Sequence, residues 1–356
     1  MDAIVLVGGQ GTRLRPLTIT TPKPMLPTAG VPFLAHLLSR ARDAGVDHVV
    51  LSTSYRAEVF ESYFGTGSAL GLEIDYVTEV EPLGTGGGIR NVAGALRGDD
   101  VLVFNGDVLS GVDLRSLVAA HRDTDADVTL HLTEVADPRP FGLVPLDDDG
   151  RVTAFLEKPT TAAEIVTNRV NAGCYVFDPA VLAAIPAGRP VSVERETFPG
   201  LLASGALVRG YVDASYWLDL GTPAAFVRGS ADLVLGHAPS SVLPGPVGES
   251  LVLATGQVDP TATLTGGSVV GAGAAVGAGA QLDAAVVFDG AVLAGGVRVV
   301  RSVVGAGARI GPGTVLEDAV VGDGAVVGAG NELRAGARVW PGVRLADGAV
   351  RFSSDR

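Results

Sequence analysis

The chain has 356 residues and only two lysines, Lys23 in the stretch TPKPMLP and Lys158 in EKP. Arg replaces Lys at little cost on a solvated surface. The two are not interchangeable where a compact ammonium on a flexible stem must follow a moving phosphoryl group. Lys23 is preceded by LVGGQGTRLRPL, in which Gly8, Gly9 and Gly11 follow a short apolar run. A glycine-rich turn directly after a buried strand brings backbone N–H groups close to phosphate oxygens. This is not a Walker A loop, because no Gly-Lys-Ser/Thr follows. Nor is it G-x-G-x-x-G, since Leu14 stands at the last glycine's place. Arg13 and Lys23 add the positive charge that a polyphosphate needs. On the residues alone the stretch is either a nucleotide phosphate loop or a structural turn.

Further along lie EPLGTGGGI (Glu81–Ile89), FNGDVL (Phe104–Leu109), FLEKP (Phe155–Pro159), NAGCYVF (Asn171–Phe177), VSVERETFP (Val191–Pro199) and YWLDLGTP (Tyr216–Pro223). Taken singly, an Asp after a strand, such as Asp107, is as readily a turn or a helix cap. Together and in this order, the segments resemble the nucleoside-diphosphate-sugar pyrophosphorylases, the sugar-phosphate nucleotidyltransferases. Within that family VSVERETFP points toward enzymes that act on mannose 1-phosphate with GTP. WLDLGT is also close to the pattern of thymidylyl- and glucose-type enzymes, which stand as the alternative. A further alternative is a non-catalytic regulatory homologue that keeps the fold.

The resemblance implies roles for particular residues. Arg13 and Lys23 would hold the triphosphate, and Lys158 the phosphate of the sugar. Leu6, Gly8, Gly9, Gly11, Thr12, Leu83, Gly84, Thr85 and Gly106 would line the nucleotide. Gly142, Glu157, Asn171, Gly173 and Glu194 would meet the sugar, with Arg195 and Asp213 as further polar groups nearby. Asp107 and Asp219 would ligate Mg²⁺, a hard cation that takes oxygen donors and retains waters. Guanine presents N1–H and N2–H₂ on one edge, a donor pair that suits a carboxylate. Glu81 fits that task, with Glu79 as its competitor. One basic contact of the family is absent, since Gln10 stands where a basic residue is frequent.

These residues must be positioned by two different kinds of chain. Residues 1–237 alternate strand-like runs (Ala3–Val7, His48–Thr53, Leu72–Thr78, Val101–Asp107, Ala126–Val135) with helical stretches such as Phe33–Gly45. That pattern predicts an α/β domain with a Rossmann-like mixed, mainly parallel sheet, whose ligands sit beyond the carboxyl ends of the strands. Residues 238–250 read as a linker. From 251 to 356 the period changes to six. Val258, Leu264, Val270, Val276 and Leu282 are followed, after a five-residue step, by Val287, Leu293 and Val299. A second such step leads to Val304, Ile310 and Leu316, and a third to Val321, Val327, Leu333, Val339 and Leu345. Three hexads make one triangular coil of a parallel β-helix, and about five coils fit. The tail resembles the left-handed hexapeptide-repeat family, some members of which are acyltransferases with a catalytic His. None of the five histidines lies in this region, so association or regulation is the expected role, and a homo-oligomer the expected state.

The bulk properties narrow the partners. A net charge of −13 argues against nucleic acid and against anionic membrane surfaces, though not against a small anionic substrate. No apolar run reaches the ~18–20 residues needed to span a membrane. A single cysteine allows no internal disulfide, which fits a reducing cytoplasm.

Overall fold

The structure, a computed structural model, describes residues 1–54, 56–98 and 100–351. The last five residues of the expected C-terminal domain lie outside them. Two compact units are present: Met1–Gly9 with Leu37–Trp217, and Gln10–His36 with Leu218–Arg356. This division follows packing and not chain order, since residues 10–36 group with the C-terminal repeats.

In the first unit nine strands form one mixed sheet. They are β1 (Asp2–Leu6), β2 (His48–Thr53), β3 (Glu73–Thr78), β4 (Val101–Asn105), β5 (Val128–Glu134), β6 (Gly142–Leu143), β7 (Leu156–Glu157), β8 (Arg169–Phe177) and β9 (Val208–Val212). The order is β7-β6-β8-β4-β1-β2-β3, with β5 beside β8 and β9. Strands β1, β2, β3 and β4 are mutually parallel, and β8 runs antiparallel to β4 and β5. Ala3, Ile4, Val5, Val49, Val50, Leu51, Leu102 and Val103 are wholly buried, as continuous apolar runs in a doubly covered parallel sheet require. The helices are α1 (Phe33–Asp43, which the boundary between the units divides), α2 (Ala57–Phe64), α3 (Gly84–Val92), α4 (Leu114–Thr124), α5 (Pro179–Ala184) and α6 (Phe198–Ala203). Helix α4 starts where Asp113 accepts from the N–H groups of Arg115 and Ser116, the expected service of an N-cap carboxylate.

From β1 the chain proceeds outward to β2 and β3, then returns to β4 on the other side of β1. Strand order therefore reverses between β1 and β4. Crevices at such reversals, beyond the strand carboxyl ends, are where open α/β sheets bind ligands. Gly8 follows β1 and Asp107 follows β4, one on each side of this point.

In the second unit the hexads form a left-handed parallel β-helix. Its strands fall into three sheets, two of six strands and one of five, each strand pairing in parallel with the one a full coil further on. Register advances by 18 residues from Leu251 to Val269, then by 17 to Val286, Val303 and Val320, and by 18 to Arg338. The three five-residue steps of the sequence are the three 17-residue coils. Each is shortened at the same corner, where one non-glycine residue takes a left-handed conformation: Ala284 (φ 47), Arg301 (φ 44) and Asp318 (φ 49). The 18-residue corners use two left-handed residues, Gly266 with Gly267 and Ala335 with Gly336. Two of the non-glycine corner residues, in successive coils, are paired with each other. The Arg301 guanidinium binds Asp318 with Nε–Oδ1 at 2.8 Å and Nη2–Oδ2 at 2.7 Å.

The hexad aliphatics Val287, Leu293, Val299, Val304, Ile310, Leu316 and Val321 fill the core of the coil. On the first sheet the preceding residue of each pair faces outward, because side chains alternate along a strand. There Val286, Val303 and Val320 stack in register, and all are buried. Leu14, Leu17 and Leu26 of the 10–36 segment cover them, together with Phe226 and Val227 of α7 (Pro223–Val234) and Phe288 of the coil itself.

Candidate active site

At the carboxyl ends of β1 and β4, the Ser54 hydroxyl donates to the Gly8 carbonyl at 2.8 Å. The Gly106 N–H donates to the Leu6 carbonyl at 3.0 Å. A Cβ on Gly106 would lie 2.7 Å from that same oxygen, so a glycine is required for the two strand ends to meet. The next residue is Asp107, which leaves β4 from a fixed point. Gly9 is exposed with open space beside it, and Leu6 is partly buried at the end of β1.

Helix α3 is glycine-rich for packing. Cβ atoms on Gly84, Gly86 and Gly87 would fall within 3 Å of Val191 O, Val191 Cγ1 and Arg189 O respectively. The GTGGG stretch thus lets the helix lie directly against the 189–197 segment. Thr85 fastens the two: its hydroxyl accepts from the Val193 N–H at 2.9 Å and donates to Glu194 Oε2 at 2.8 Å. Ser192 donates to the same oxygen. Glu194, expected beside the sugar, is in this arrangement a brace for α3, and Arg195 is exposed. Glu79 and Glu81 are separated by environment. Glu79 accepts from the Ser52 hydroxyl at 3.1 Å and from the Leu83 N–H at 3.0 Å, so its carboxylate ties the loop entering α3 to β2. Glu81 is exposed.

On the other side of the sheet, Glu157 and Gly142 are opposed in the β6–β7 pair. A Cβ at 142 would sit 2.7 Å from Glu157 Oε2. Lys158 has φ 50, a left-handed conformation that costs a non-glycine residue energy and is retained only where the surroundings enforce it. Its N–H donates to the Phe141 carbonyl, and its ammonium lies 3.3 Å from Glu157 Oε1 with the side chain 63% exposed. Asn171 stands at an irregularity of β8, where the pairing to β5 shifts register. Its Oδ1 accepts from the Gly173 N–H at 3.0 Å, and its amide donates to the Tyr175 hydroxyl at 2.8 Å. Burial holds Tyr175 in its neutral form by raising its pKa. The Trp217 indole donates to the Ala172 carbonyl at 3.0 Å, and its ring meets Phe141 edge-on. Asp213 accepts from the Ser215 N–H and hydroxyl.

Within the second unit, three of the expected residues come together. Lys23 Nζ lies 3.8 Å from Asp219 Oδ1, with the side chains 10% and 25% exposed. A Cβ on Gly221 would be 2.6 Å from Arg13 Nη2 and 2.9 Å from Asp219 Oδ2, so the guanidinium and the carboxylate both crowd that glycine. Gly11 (φ 59) turns the chain here; its carbonyl accepts from the Thr18 hydroxyl at 2.8 Å. Thr12 opens the short 3-10 turn Thr12–Leu14 that carries Arg13. Asp219 precedes α7, which Thr222 caps by accepting from the Ala225 N–H while Pro223 occupies the first turn.

This donor chemistry fits a hard divalent cation. Asp107 in the first unit and Asp219 in the second each offer oxygen only. Among the described residues no cluster of three or more His, Cys, Asp or Glu side chains could hold a metal alone. On either carboxylate an ion would take its remaining ligands from phosphate and water, as a hard divalent cation does and a structural zinc does not. Two cations beside Asp219 are suited to the same phosphate oxygens.

Sequence reasoning singled out Arg13, Lys23 and Asp219, which the structure brings together, but missed the bracing roles of Glu79 and Thr85 and the residues that hold the loop from behind. The doubled valines in AVVF, SVVG and AVVG were the available signal, since one of each pair must face out of the coil.

Two family models match the chain: Nucleotidyl transferase over residues 2–234, and GMPPB C-terminal domain over residues 246–350. The chain is similar to the mannose-1-phosphate guanylyltransferase of Mycobacterium tuberculosis, at 61% identity over 100% of this chain and 98% of that one. It is 38% identical to the mannose-1-phosphate guanylyltransferase catalytic subunit beta of Drosophila pseudoobscura pseudoobscura, over 74% of this chain and 70% of the relative. Among solved structures, HddC from Yersinia pseudotuberculosis complexed with GMP-PN aligns with a TM-score of 0.57 and 28% identity, covering 65% of this chain and 99% of HddC.

Proposed function

Because the chain belongs to the nucleotidyl transferase family, we propose that it is a mannose-1-phosphate guanylyltransferase, which converts GTP and α-D-mannose 1-phosphate to GDP-mannose and diphosphate. One observation carries the reading. The chain is similar end to end to such an enzyme and carries a charged set suited to the reaction, Arg13, Lys23, Asp107, Lys158 and Asp219. A regulatory homologue would have no use for all five.

Two anions must approach each other, so the barrier is largely electrostatic, and positioning with charge neutralisation supplies the rate. Arg13 and Lys23 neutralise the triphosphate. Lys158 holds the sugar phosphate, while Glu157, Asn171 and the Gly142 and Gly173 backbone accept the sugar hydroxyls. Glu81, exposed where Glu79 is committed, receives the donor edge of guanine, and Leu83, Gly84 and Thr85 border the base. Enzymes of this family generally use a divalent metal. In this reading Asp107 and Asp219 would hold Mg²⁺, which would supply charge for displacement at the α-phosphate. Residues 1–237 form the nucleotidyltransferase domain of the proposal and 251–356 the β-helix, which we expect to mediate self-association. Among the described residues no helix is long and apolar enough to cross a membrane. A cytoplasmic setting, with its nucleoside triphosphates and hexose phosphates, goes with this function.

The test is an activity matrix of four nucleoside triphosphates against mannose and glucose 1-phosphates, read as Mg²⁺-dependent diphosphate release. GTP with mannose 1-phosphate should give the highest kcat/KM. A maximum at dTTP or UTP with glucose 1-phosphate would replace the substrate assignment. No turnover with any pair would favour a regulatory homologue.

A further inference from the structure

The loop that carries Arg13 and Lys23 is made of three short 3-10 turns, each closed by its own backbone hydrogen bonds. Its apolar side chains Leu14, Leu17 and Leu26 are buried against outward-facing valines of the β-helix. Apolar contact fixes a loop to a face but does not fix its position along that face, because the hydrophobic effect is non-directional. Two polar ties to the coils do so, besides the Ala29 N–H that donates to Ser230 Oγ of α7 at 3.0 Å. The Thr20 hydroxyl donates to Asp323 Oδ2 at 2.7 Å, and Arg338 Nη1 donates to the Arg15 carbonyl at 2.6 Å. Arg15 lies two residues after Arg13, and Thr20 three residues before Lys23.

We propose that the β-helix sets the position of the two cations for nucleotide binding, with Asp323 and Arg338 as positioning residues that hold the loop at Thr20 and Arg15. The inference rests on the function proposed above. Asp323 is itself rigidly placed. Its Oδ1 accepts from the Ala306 N–H at 2.9 Å and so staples two coils together. Asp289 and Asp347 make the equivalent staple to Ala272 and Ala329. Of the three, only Asp323 has its second oxygen bonded by the loop. Arg338 continues the outward valine ladder: it is the register partner of Val320, at the rung where apolar cover gives way to a directed hydrogen bond. The β-helix thus contributes no group to the chemistry, yet determines where two groups that do are found.

Thr20→Val keeps the shape of the side chain, removes its donor and leaves the Asp323 staple intact. Arg338→Met removes the second tie. In the full-length protein each should raise the KM for GTP about fivefold, and the pair roughly 25-fold, from the worth of one hydrogen bond apiece. The KM for mannose 1-phosphate and the melting temperature should stay near wild type. Thr20→Ser and Arg338→Lys should restore GTP binding. Hydrogen exchange at the amides of Leu14, Arg15 and Ile19 should quicken in the double variant, while exchange within the coils is unchanged. A GTP KM within twofold of wild type in the double variant, an equal rise for both substrates, or unaltered exchange at those amides would overturn the proposal. Should the wild-type protein not turn over GTP and mannose 1-phosphate, the functional reading fails, and the exchange measurement still decides whether the ties hold the loop.

Discussion

Lys23 and Lys158 are the only lysines of the chain, and the structure holds them by opposite means. Lys158 is secured locally. It follows directly on the short β6–β7 pair, its backbone is turned into a left-handed conformation, and its ammonium lies beside its own neighbour, Glu157. Its side chain is mostly exposed. Lys23 is mostly enclosed and lies beside Asp219, about 200 residues away in sequence, on a loop seated against coils that lie still further along the chain. The difference teaches that the two ends of the proposed reaction have separate structural dependences. One rests on a hairpin, the other on a domain.

The largest effect should come from replacing each lysine by arginine. Arginine puts a planar fork of different reach and donor directions where a compact ammonium would meet phosphate, so each variant should lose roughly 10²–10³-fold in kcat/KM while remaining folded. Lys158→Arg should act through mannose 1-phosphate and Lys23→Arg through GTP, as steady-state kinetics with each substrate varied will read. Wild-type rates in either variant would remove that lysine from the site. Asp107→Asn and Asp219→Asn should raise the Mg²⁺ concentration needed for half-maximal activity, and an unchanged Mg²⁺ titration would dismiss the residue concerned as a ligand.

A smaller effect on rate, but a clear one on stability, is expected for Phe288→Ala. Phe288 is buried and packs edge-on to Phe226, and removing a buried ring costs about 3–5 kcal/mol. The melting temperature should fall and the KM for GTP should rise, with the KM for mannose 1-phosphate unmoved. A rise in both would mean that the two lysines share one support after all.

The smallest effect at neutral pH belongs to two buried histidines, one in each unit. Burial lowers the pKa of His36 and of His131 to about 4. The Nε2–H of His36 donates to the Thr28 carbonyl and its Nδ1 accepts from Ser240, whereas both ring nitrogens of His131 lack a partner. The unfolded chain, titrating near 6.5, binds protons that the folded chain refuses between about pH 6.5 and 4. Stability should therefore be full above pH 6.5 and fall as the pH drops toward 4. His131→Leu should flatten part of that slope, as thermal melts across this range will show. A melting temperature independent of pH there would refute the assignment.

Local rules made much of the molecule legible from sequence. The strand–helix alternation anticipated the sheet, with β2 found at His48–Thr53 as read and α1 beginning at Phe33. The six-residue period anticipated the β-helix and the three short steps in it, because side-chain alternation and coil length are set by neighbours along the chain. Arg13 and Lys23 were read from one stretch and Asp219 from another; that the three lie together within one unit is shown by the structure alone. The sequence could not assign Glu79 and Glu81 their different environments, nor show that the glycines of α3 serve packing against residues 189–197. Those depend on which backbone approaches which, and no spacing records it.

What residue order determined by itself is the inventory: two ammonium groups, two carboxylates, a glycine turn, and repeats whose period admits one kind of coil. What only the tertiary structure decided is which surface covers the outward valines at 286, 303 and 320, and hence that the 10–36 segment packs with the C-terminal coils. The reason is that burial is non-directional. An exposed apolar face demands a cover, but only the folded arrangement selects which leucines provide it, and the bonds to Asp323 and Arg338 then fix where they sit.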